Sequence, residues 1–496
     1  MANRPNILFI FTDQQRYDAL GAAPNPIIKT PNLDRLAREG VLFSNAFSPS
    51  PVCVSARCSL IHGQYAHNTG CAYNGDPMPT DRPSFMQRLT DAGYRTHGVG
   101  KMHFTPDSQA LRGFQTREHQ EEMRARIEDD DYLQALHKAG YRYITDPMGA
   151  RGEMYYVPQL AQMPPELHPS QWVGDRSIAF IEGAAEEQPF LLWSSFVDPH
   201  PPFAPPSPWH KLYRAPLMPL PKCPHQYESL HTHINRVQNR YKFRDNGIDY
   251  NLLRCIKAYY YATISFVDYQ VGRIIAALEE RGILDNTLIA FTSDHGEMLG
   301  DYGCFGKRTM LDSAARLPML ARLPGRFQGG ARCDTPTSLV DVMPTFLSAA
   351  GIDPDGQSLD GVDLFHALQV NQRDPQADRT VYSQFQHDDL GVYMAVNRRQ
   401  KFVYSSPDRK EILLDRVTDP DETRNQAGLV FRRDELAQAR SELFAYYSQQ
   451  GFTDPMDGDS WRTYPQPTVS DDPDTGLLIQ DHPWAVPEQR IPGYSD

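Results

Sequence analysis

No apolar run in this 496-residue chain reaches the ~18–20 residues of a spanning helix, so no membrane partner is expected. The start carries no signal-peptide pattern. Its apolar stretch, residues 7–11, is too short for a signal core and no small-residue cleavage site follows, so a cytoplasmic protein is expected. Cysteine is scarce and unpatterned: seven residues (53, 58, 71, 223, 255, 304 and 333), an odd number with no Cys-x-x-Cys pair. That excludes a disulfide framework and fits reduced thiols. Basic charge is also short, 49 Lys+Arg against 62 Asp+Glu for a net −13, which excludes a general nucleic-acid binder. An anionic small substrate remains open, because the local field of a cleft governs its binding.

What is present is a globular balance of 40% hydrophobic and 22% charged residues. Proline reaches 41 and clusters at 199–208 and 216–224, as rigid loops over a scaffold do. Short apolar runs at 7–11, 96–100, 190–197, 287–292 and 319–323 read as buried parallel strands. Helical patterns lie among them at 32–39, 84–92, 253–281 and 341–350. They stop at Gly40, Gly93, Gly282 and Gly351, in the manner of C′ glycines. Alternating strands and helices predict an α/β fold with a large, mostly parallel sheet sandwiched by helices. Beyond about residue 375, short alternating strands at 380–385, 392–396, 401–404 and 410–414 precede a helix at 434–449, predicting a smaller antiparallel sheet plus helix. The expected division is a catalytic domain over 1–375, an α+β subdomain over 376–453 and an irregular tail over 454–496. The tail carries Trp461, Tyr464, Trp484 and Tyr494. It lacks a core of its own, so it docks on the body or on a neighbouring subunit, and a homodimer or homotetramer is expected.

In open α/β sheets ligands bind beyond the carboxyl ends of the strands. Four strands end in Thr12-Asp13-Gln14, Lys101-Met102-His103, Asp198-Pro199-His200 and Ser293-Asp294-His295-Gly296-Glu297. A charged residue after one strand is ordinarily a solvated loop; four such ends rich in Asp, His and Lys point to a site. Asp13, Asp294 and His295 suit a divalent cation: carboxylates favour Ca²⁺ or Mg²⁺, and the imidazole tilts the set toward Mn²⁺ or Zn²⁺. The plainer alternative is that Asp294 caps a helix with His295 packed beside it. Lys101, His103, His200 and Lys307 add cationic or proton-donating groups suited to a tetrahedral oxyanion ester. Cys53 is expected at the N-terminus of a helix, where amide dipoles favour an anion, with Arg57 one turn on along the same face.

The stretch Cys53-Val54-Ser55-Ala56-Arg57, followed by Leu60-Ile61-His62-Gly63, resembles the nucleophile motif of the type I sulfatases and their relatives the phosphonate monoester hydrolases, in the alkaline phosphatase superfamily. Matches continue through Pro5-Asn6-Ile7-Leu8, Thr30-Pro31-Asn32-Leu33-Asp34, Gly100-Lys101-Met102-His103, Pro199-His200-Pro201-Pro202, Ser293-Asp294-His295-Gly296 and Gly306-Lys307. They end at Leu413-Leu414-Asp415 with Asp419-Pro420-Asp421-Glu422 and Asn425, so they span about residues 4–450. The resemblance implies an alkaline-phosphatase-like fold and hydrolysis of small sulfate monoesters. It implies that a formylglycine-generating enzyme oxidises Cys53 to Cα-formylglycine, whose hydrate forms a covalent sulfo-enzyme intermediate. It further implies that Asp13, Cys53, Asp294 and His295 bind the metal, Ca²⁺ before Mn²⁺ or Mg²⁺. Arg57 and Lys101 would stabilise formylglycine or sulfate, and His103 would assist hydrate collapse. His200 and Lys307 would contact the ester, one as general acid, and Asn74 would contact the oxyanion. Residue by residue, Asn74 also reads as a turn residue before Gly75.

Three positions depart from the usual pattern. Ser55 stands where the motif has Pro or Ala, Gln14 where many sulfatases have a second Asp, and His295 where many Ca²⁺ sulfatases have Asn. Gln14 is shared with the phosphonate hydrolase and choline-sulfatase branches. The alternatives are therefore a phosphonate monoester or phosphodiester hydrolase on the same scaffold, and a non-catalytic binding relative.

Overall fold

The computed structural model describes residues 4–122, 126–151, 155–240, 249–354 and 356–468, with the short strands Leu477–Ile479 and His482–Trp484. Eight strands form the main sheet: β1 (Asn6–Thr12), β2 (Val41–Phe43), β3 (Arg95–Gly100), β4 (Thr116–His119), β5 (Phe190–Ser195), β6 (Thr287–Ser293), β7 (Met319–Arg322) and β8 (Ala331–Cys333). They lie in the order β8-β2-β7-β6-β1-β5-β3-β4. β1 sits between β5 and β6 and is parallel to both. The sheet is mostly parallel, as expected, but β7 runs antiparallel to both its neighbours. The expectation of a parallel strand at 319–323 is corrected there: an apolar run buried on both faces carries no mark of its direction.

Side chains alternate across a strand, and both faces of β1 are buried. Ile7, Phe9 and Phe11 enter one core, Leu8 and Ile10 the other. The covering helices are α1 (Pro31–Glu39), α2 (Cys53–His62), α3 (Phe85–Asp91), α4 (Pro169–Glu182), α5 (Tyr250–Glu280) and α6 (Val342–Ala350). On the Phe9 face, α2, α3 and α6 pack down, with Phe9 edge-on to Phe85 and Phe346. On the other face, Leu33 and Leu36 of α1, Val173 and Phe180 of α4, and Val267, Val271 and Ile274 of α5 close the core. Each such side chain, fully buried, contributes roughly 1.5–3 kcal/mol.

The reading of Gly40 as a left-handed C′ glycine is corrected: its φ is −134°. Glycine is needed there because a Cβ would lie 2.2 Å from the Ala321 carbonyl oxygen of β7.

The second sheet runs β9 (Val381–Phe385), β10 (Val392–Val396), β11 (Gln400–Ser405) and β12 (Lys410–Asp415), antiparallel and in sequence order. Helix α7 (Arg433–Gln449) covers one face through Leu443 and Tyr447. The other face packs Val381, Met394, Val403 and Ile412 against Phe47, Val52, Met310 and Ala314 of the main body. Buried Lys401 crosses that junction to Asp312 and Glu422, 2.5 Å from each. The start of the tail docks on this sheet. Trp461 stacks on Tyr404, and its Nε1 donates to Glu411 at 2.7 Å. The Tyr464 hydroxyl donates to the Asp454 carbonyl at 2.8 Å. Trp484 pairs in register with Leu477, and Tyr494 lies outside the described residues.

Candidate active site

The carboxyl ends of β1, β3, β5 and β6 open on one edge of the sheet and deliver Asp13, Lys101, His200 and Asp294-His295 to a common buried space. Cys53 faces them as the first residue of α2. The residue before it, Val52, is extended, and no side chain of its own caps the helix. Asn74 fills that role, its Oδ1 accepting the Val54 amide at 2.9 Å, so Asn74 is more than a turn residue. Its Nδ2 is buried without a hydrogen-bond partner among the described residues. Ser55 donates to the Cys71 carbonyl at 2.5 Å, tying α2 to the loop that carries Asn74.

The Cys53 Sγ lies 3.2 Å from His295 Nε2, 2.8 Å from Lys307 Nζ and 3.8 Å from Asp13 Oδ1. One turn along, fully buried Arg57 spans the site. Its Nε donates to Asp294 at 3.1 Å and Nη2 to Asp13 at 3.2 Å. Its Nη1 donates to the Lys101 carbonyl at 2.6 Å and to Ser195 Oγ at 3.2 Å. The guanidinium thus fixes both carboxylates from behind while resting 4.9 Å above the Phe11 ring.

Donor atoms of Asp13, Cys53, Asp294 and His295 all lie within 4.8 Å of one another, and all four residues are buried. His295 Nδ1 is 3.0 Å from the Gly296 carbonyl, which can only accept, so Nδ1 carries a proton and Nε2 faces the cluster. Against burial, Asp294 and Cys53 raise the ring's pKa, and a bound cation would take the Nε2 lone pair in place of a second proton. Two buried carboxylates and an inward lone pair fit a hard divalent cation. Burial opposes ionisation of Asp13, yet Lys101, His200, Lys307 and Arg57 hold its pKa well below the usual carboxylate range.

The four remaining expected residues lie around this core. Lys101 Nζ, fully buried, binds Asp13 at 2.7 Å. Lys307 Nζ reaches Gln14 Oε1 at 3.0 Å as well as Cys53. His200 Nδ1 is 2.7 Å from the Pro201 carbonyl, which leaves Nε2 as the nitrogen that can take up or release a proton. His103 is half-buried at φ +54°, its amide held by Glu121 at 3.2 Å. Gln14, at φ +68°, is no carboxylate ligand; its amide donates to Asp294 at 3.0 Å and its side-chain nitrogen to Glu297.

Two acids of the site had no role in the sequence reading: Glu297, named there only within its strand end, and Glu122. Glu297 accepts from Gln14, from the Tyr156 hydroxyl at 3.0 Å and from the Leu299 and Gly306 amides at 2.9 and 2.5 Å, so it shapes the loop that ends at Lys307. Its place directly after Asp294-His295-Gly296 was the available signal. Glu122 lies beyond the edge strand β4, 2.6 Å from Lys101 Nζ and 3.3 Å from His200 Nε2. Its strand, Thr-Arg-Glu-His, has no apolar run to reveal it.

A family model described as Sulfatase matches residues 5–352, and one described as N-sulphoglucosamine sulphohydrolase, C-terminal, matches residues 300–446. An arylsulfatase of Clostridium perfringens is 30% identical over 486 residues, covering 91% of this chain and 96% of its own length. A choline-sulfatase of Rhizobium meliloti is 30% identical over 373 residues, covering 70% and 68% respectively. Among solved structures, a phosphonate monoester hydrolase of Agrobacterium radiobacter superposes with a TM-score of 0.77 at 26% identity, over 90% of this chain and 96% of its own.

Proposed function

The chain belongs to the sulfatase family of sulfuric ester hydrolases, and on that premise we propose that it cleaves small sulfate monoesters after a formylglycine-generating enzyme has oxidised Cys53. The observation that carries this is the seat of the Cys53 Sγ, between His295 Nε2 and Lys307 Nζ and beside Asp13. A group grown from that Cβ stands within reach of the four-donor cluster and of the cations that would meet a tetrahedral anion.

Asp13, Asp294, Glu122 and Glu297 are buried, against buried Arg57, Lys101 and Lys307. A divalent cation held by Asp13, Asp294, His295 and the residue at 53, Ca²⁺ before Mn²⁺, would supply Lewis-acid charge against the ester oxygens. A hydrated aldehyde at position 53 would offer two hydroxyls on one carbon, so that a covalent sulfate ester taken up on one is shed by the other.

The chain's own groups do the rest. Arg57 keeps Asp13 and Asp294 turned toward the cluster. Lys101, Lys307 and the Asn74 Nδ2 present positive charge and a donor to the sulfuryl oxygens. His200, its Nδ1 proton committed to Pro201, delivers a proton from Nε2 to the departing oxygen. His103, two residues beyond Lys101, draws a proton as the hydrate collapses. We further propose a cytoplasmic setting and a homodimer or homotetramer.

The second reading, a phosphonate monoester or phosphodiester hydrolase, is favoured by the Asp13-Gln14 pair and by the superposition on such an enzyme. Turnover of an aryl sulfate against an aryl phosphonate, on protein co-expressed with a formylglycine-generating enzyme and with the Cys53 peptide weighed by mass spectrometry, tests both. Faster sulfate turnover with an aldehyde mass is expected. Faster phosphonate turnover would install the second reading, and a purely thiol, inactive Cys53 would leave a binding protein.

A further inference from the structure

Glu122 is a carboxylate inside a site built for anions. Its side chain is 3% exposed, and it is engaged on three sides. Oε2 takes the Lys101 ammonium at 2.6 Å. Oε1 takes Arg151 Nη1 at 2.7 Å and lies 3.3 Å from His200 Nε2. Lys101 in turn sits on Asp13. One acid thus touches both the cation behind the metal cluster and the nitrogen assigned to the leaving group. An anion there opposes substrate binding, so its retention needs a reason beyond attraction of the ester.

The reason lies in the surroundings of His200. The groups facing its ring are the Pro201 carbonyl at Nδ1, the Tyr155 ring with centroids 6.2 Å apart, and the charges of Glu122, Lys307, Asp13 and Lys101. Burial holds the imidazole well below its ordinary pKa, Lys307 and Lys101 push the same way, and Glu122 and Asp13 oppose them. Of the two anions facing it, Glu122 is the one within 4 Å of Nε2.

We propose that Glu122 is a positioning residue for the leaving-group step: it aims Nε2 of His200 and offsets the charge that His200 carries when loaded with the proton it gives away. In that step a deprotonated oxygen of the hydrated aldehyde at position 53 would bond to sulfur as the bond between sulfur and the leaving oxygen breaks; the electron pair of the broken bond stays on the leaving oxygen, and the Nε2 proton moves to it, leaving a neutral imidazole. The inference rests on the reading of His200 as that acid.

The dependence of rate on the leaving group separates this role from a structural one. A 4-nitrophenolate departs without help; an alkoxide does not. Glu122→Gln keeps the shape and the oxygen that accepts from Lys101, but loses the charge. Its kcat/KM is expected to fall about 10²-fold on alkyl and phenyl sulfates and by less than about fivefold on 4-nitrophenyl sulfate. Glu122→Asp keeps the charge at a longer reach, and its slope should fall between Gln and wild type. Equal losses across the series, no loss, or an Asp variant as steep as the Gln variant would overturn the proposal. If Glu122→Gln does not fold, the slope of the Asp variant decides alone: wild-type steepness overturns the proposal. If the wild type cleaves only phosphonate monoesters, the sulfate reading fails, and the same leaving-group series on aryl and alkyl phosphonates still decides the role of Glu122.

Discussion

Asp198 follows β5 in the loop two residues before His200, and it is 2% exposed. Among the described residues its carboxyl group accepts one hydrogen bond, from the Ser170 hydroxyl, with His168 Nδ1 farther off at 3.9 Å. Burial pushes its pKa from 3.8 up to about 7, the Ser170 hydroxyl opposing. A folded pKa above the unfolded one means that the group's contribution is fully present below pH 3.8 and is lost as the pH rises through about 7. At about 1.4 kcal/mol per unit, the wild type has given up about 1.5 kcal/mol at pH 5 and about 4 kcal/mol at pH 8. Asp198→Asn reproduces the neutral acid at every pH. Denaturant unfolding of both proteins at pH 5 and pH 8 should therefore show the variant gaining about 2–3 kcal/mol more at the higher pH. Unfolding curves of the two proteins that move in parallel between these pH values would refute the reasoning and place an ionised carboxylate at 198.

Arg57→Lys removes the fork that holds Asp13 and Asp294 together and returns a single point charge, so kcat/KM on an aryl sulfate should fall by about 10²-fold or more, while far-ultraviolet circular dichroism stays unchanged. Gly40→Ala drives a Cβ to 2.2 Å from a backbone oxygen and should cost upwards of about 3 kcal/mol by denaturant midpoint. Gly282→Ala, at φ +67° with no atom within 4 Å, meets only backbone strain and should cost about 1 kcal/mol in the same assay.

The fold was legible wherever hydrophobic pattern alone determines an element. The run at 7–11 carries period-free apolarity because both faces of β1 are covered, and the strand followed. Direction was not legible for β7, since an antiparallel strand buried on both faces reads the same as a parallel one. Nor was the purpose of Gly40, because a close approach between residues 281 apart in sequence leaves no local mark, whereas a left-handed C′ such as Gly351, at φ +66°, does.

The site was legible by the same route and failed at the same limit. Asp13, Lys101, His200 and Asp294 each follow a core strand, so the rule that parallel strands present their carboxyl ends to one edge brings them together without any knowledge of loops. Glu122 obeys that rule too, but β4 is a four-residue edge strand with one solvent-facing side, and its sequence is polar. Edge strands need little apolarity because only one neighbour and part of one face must be satisfied. A site assembled at strand ends therefore shows its central residues in the sequence and conceals those at its margin. In this molecule the margin is where a buried acid meets the imidazole and the ammonium that the central residues depend on.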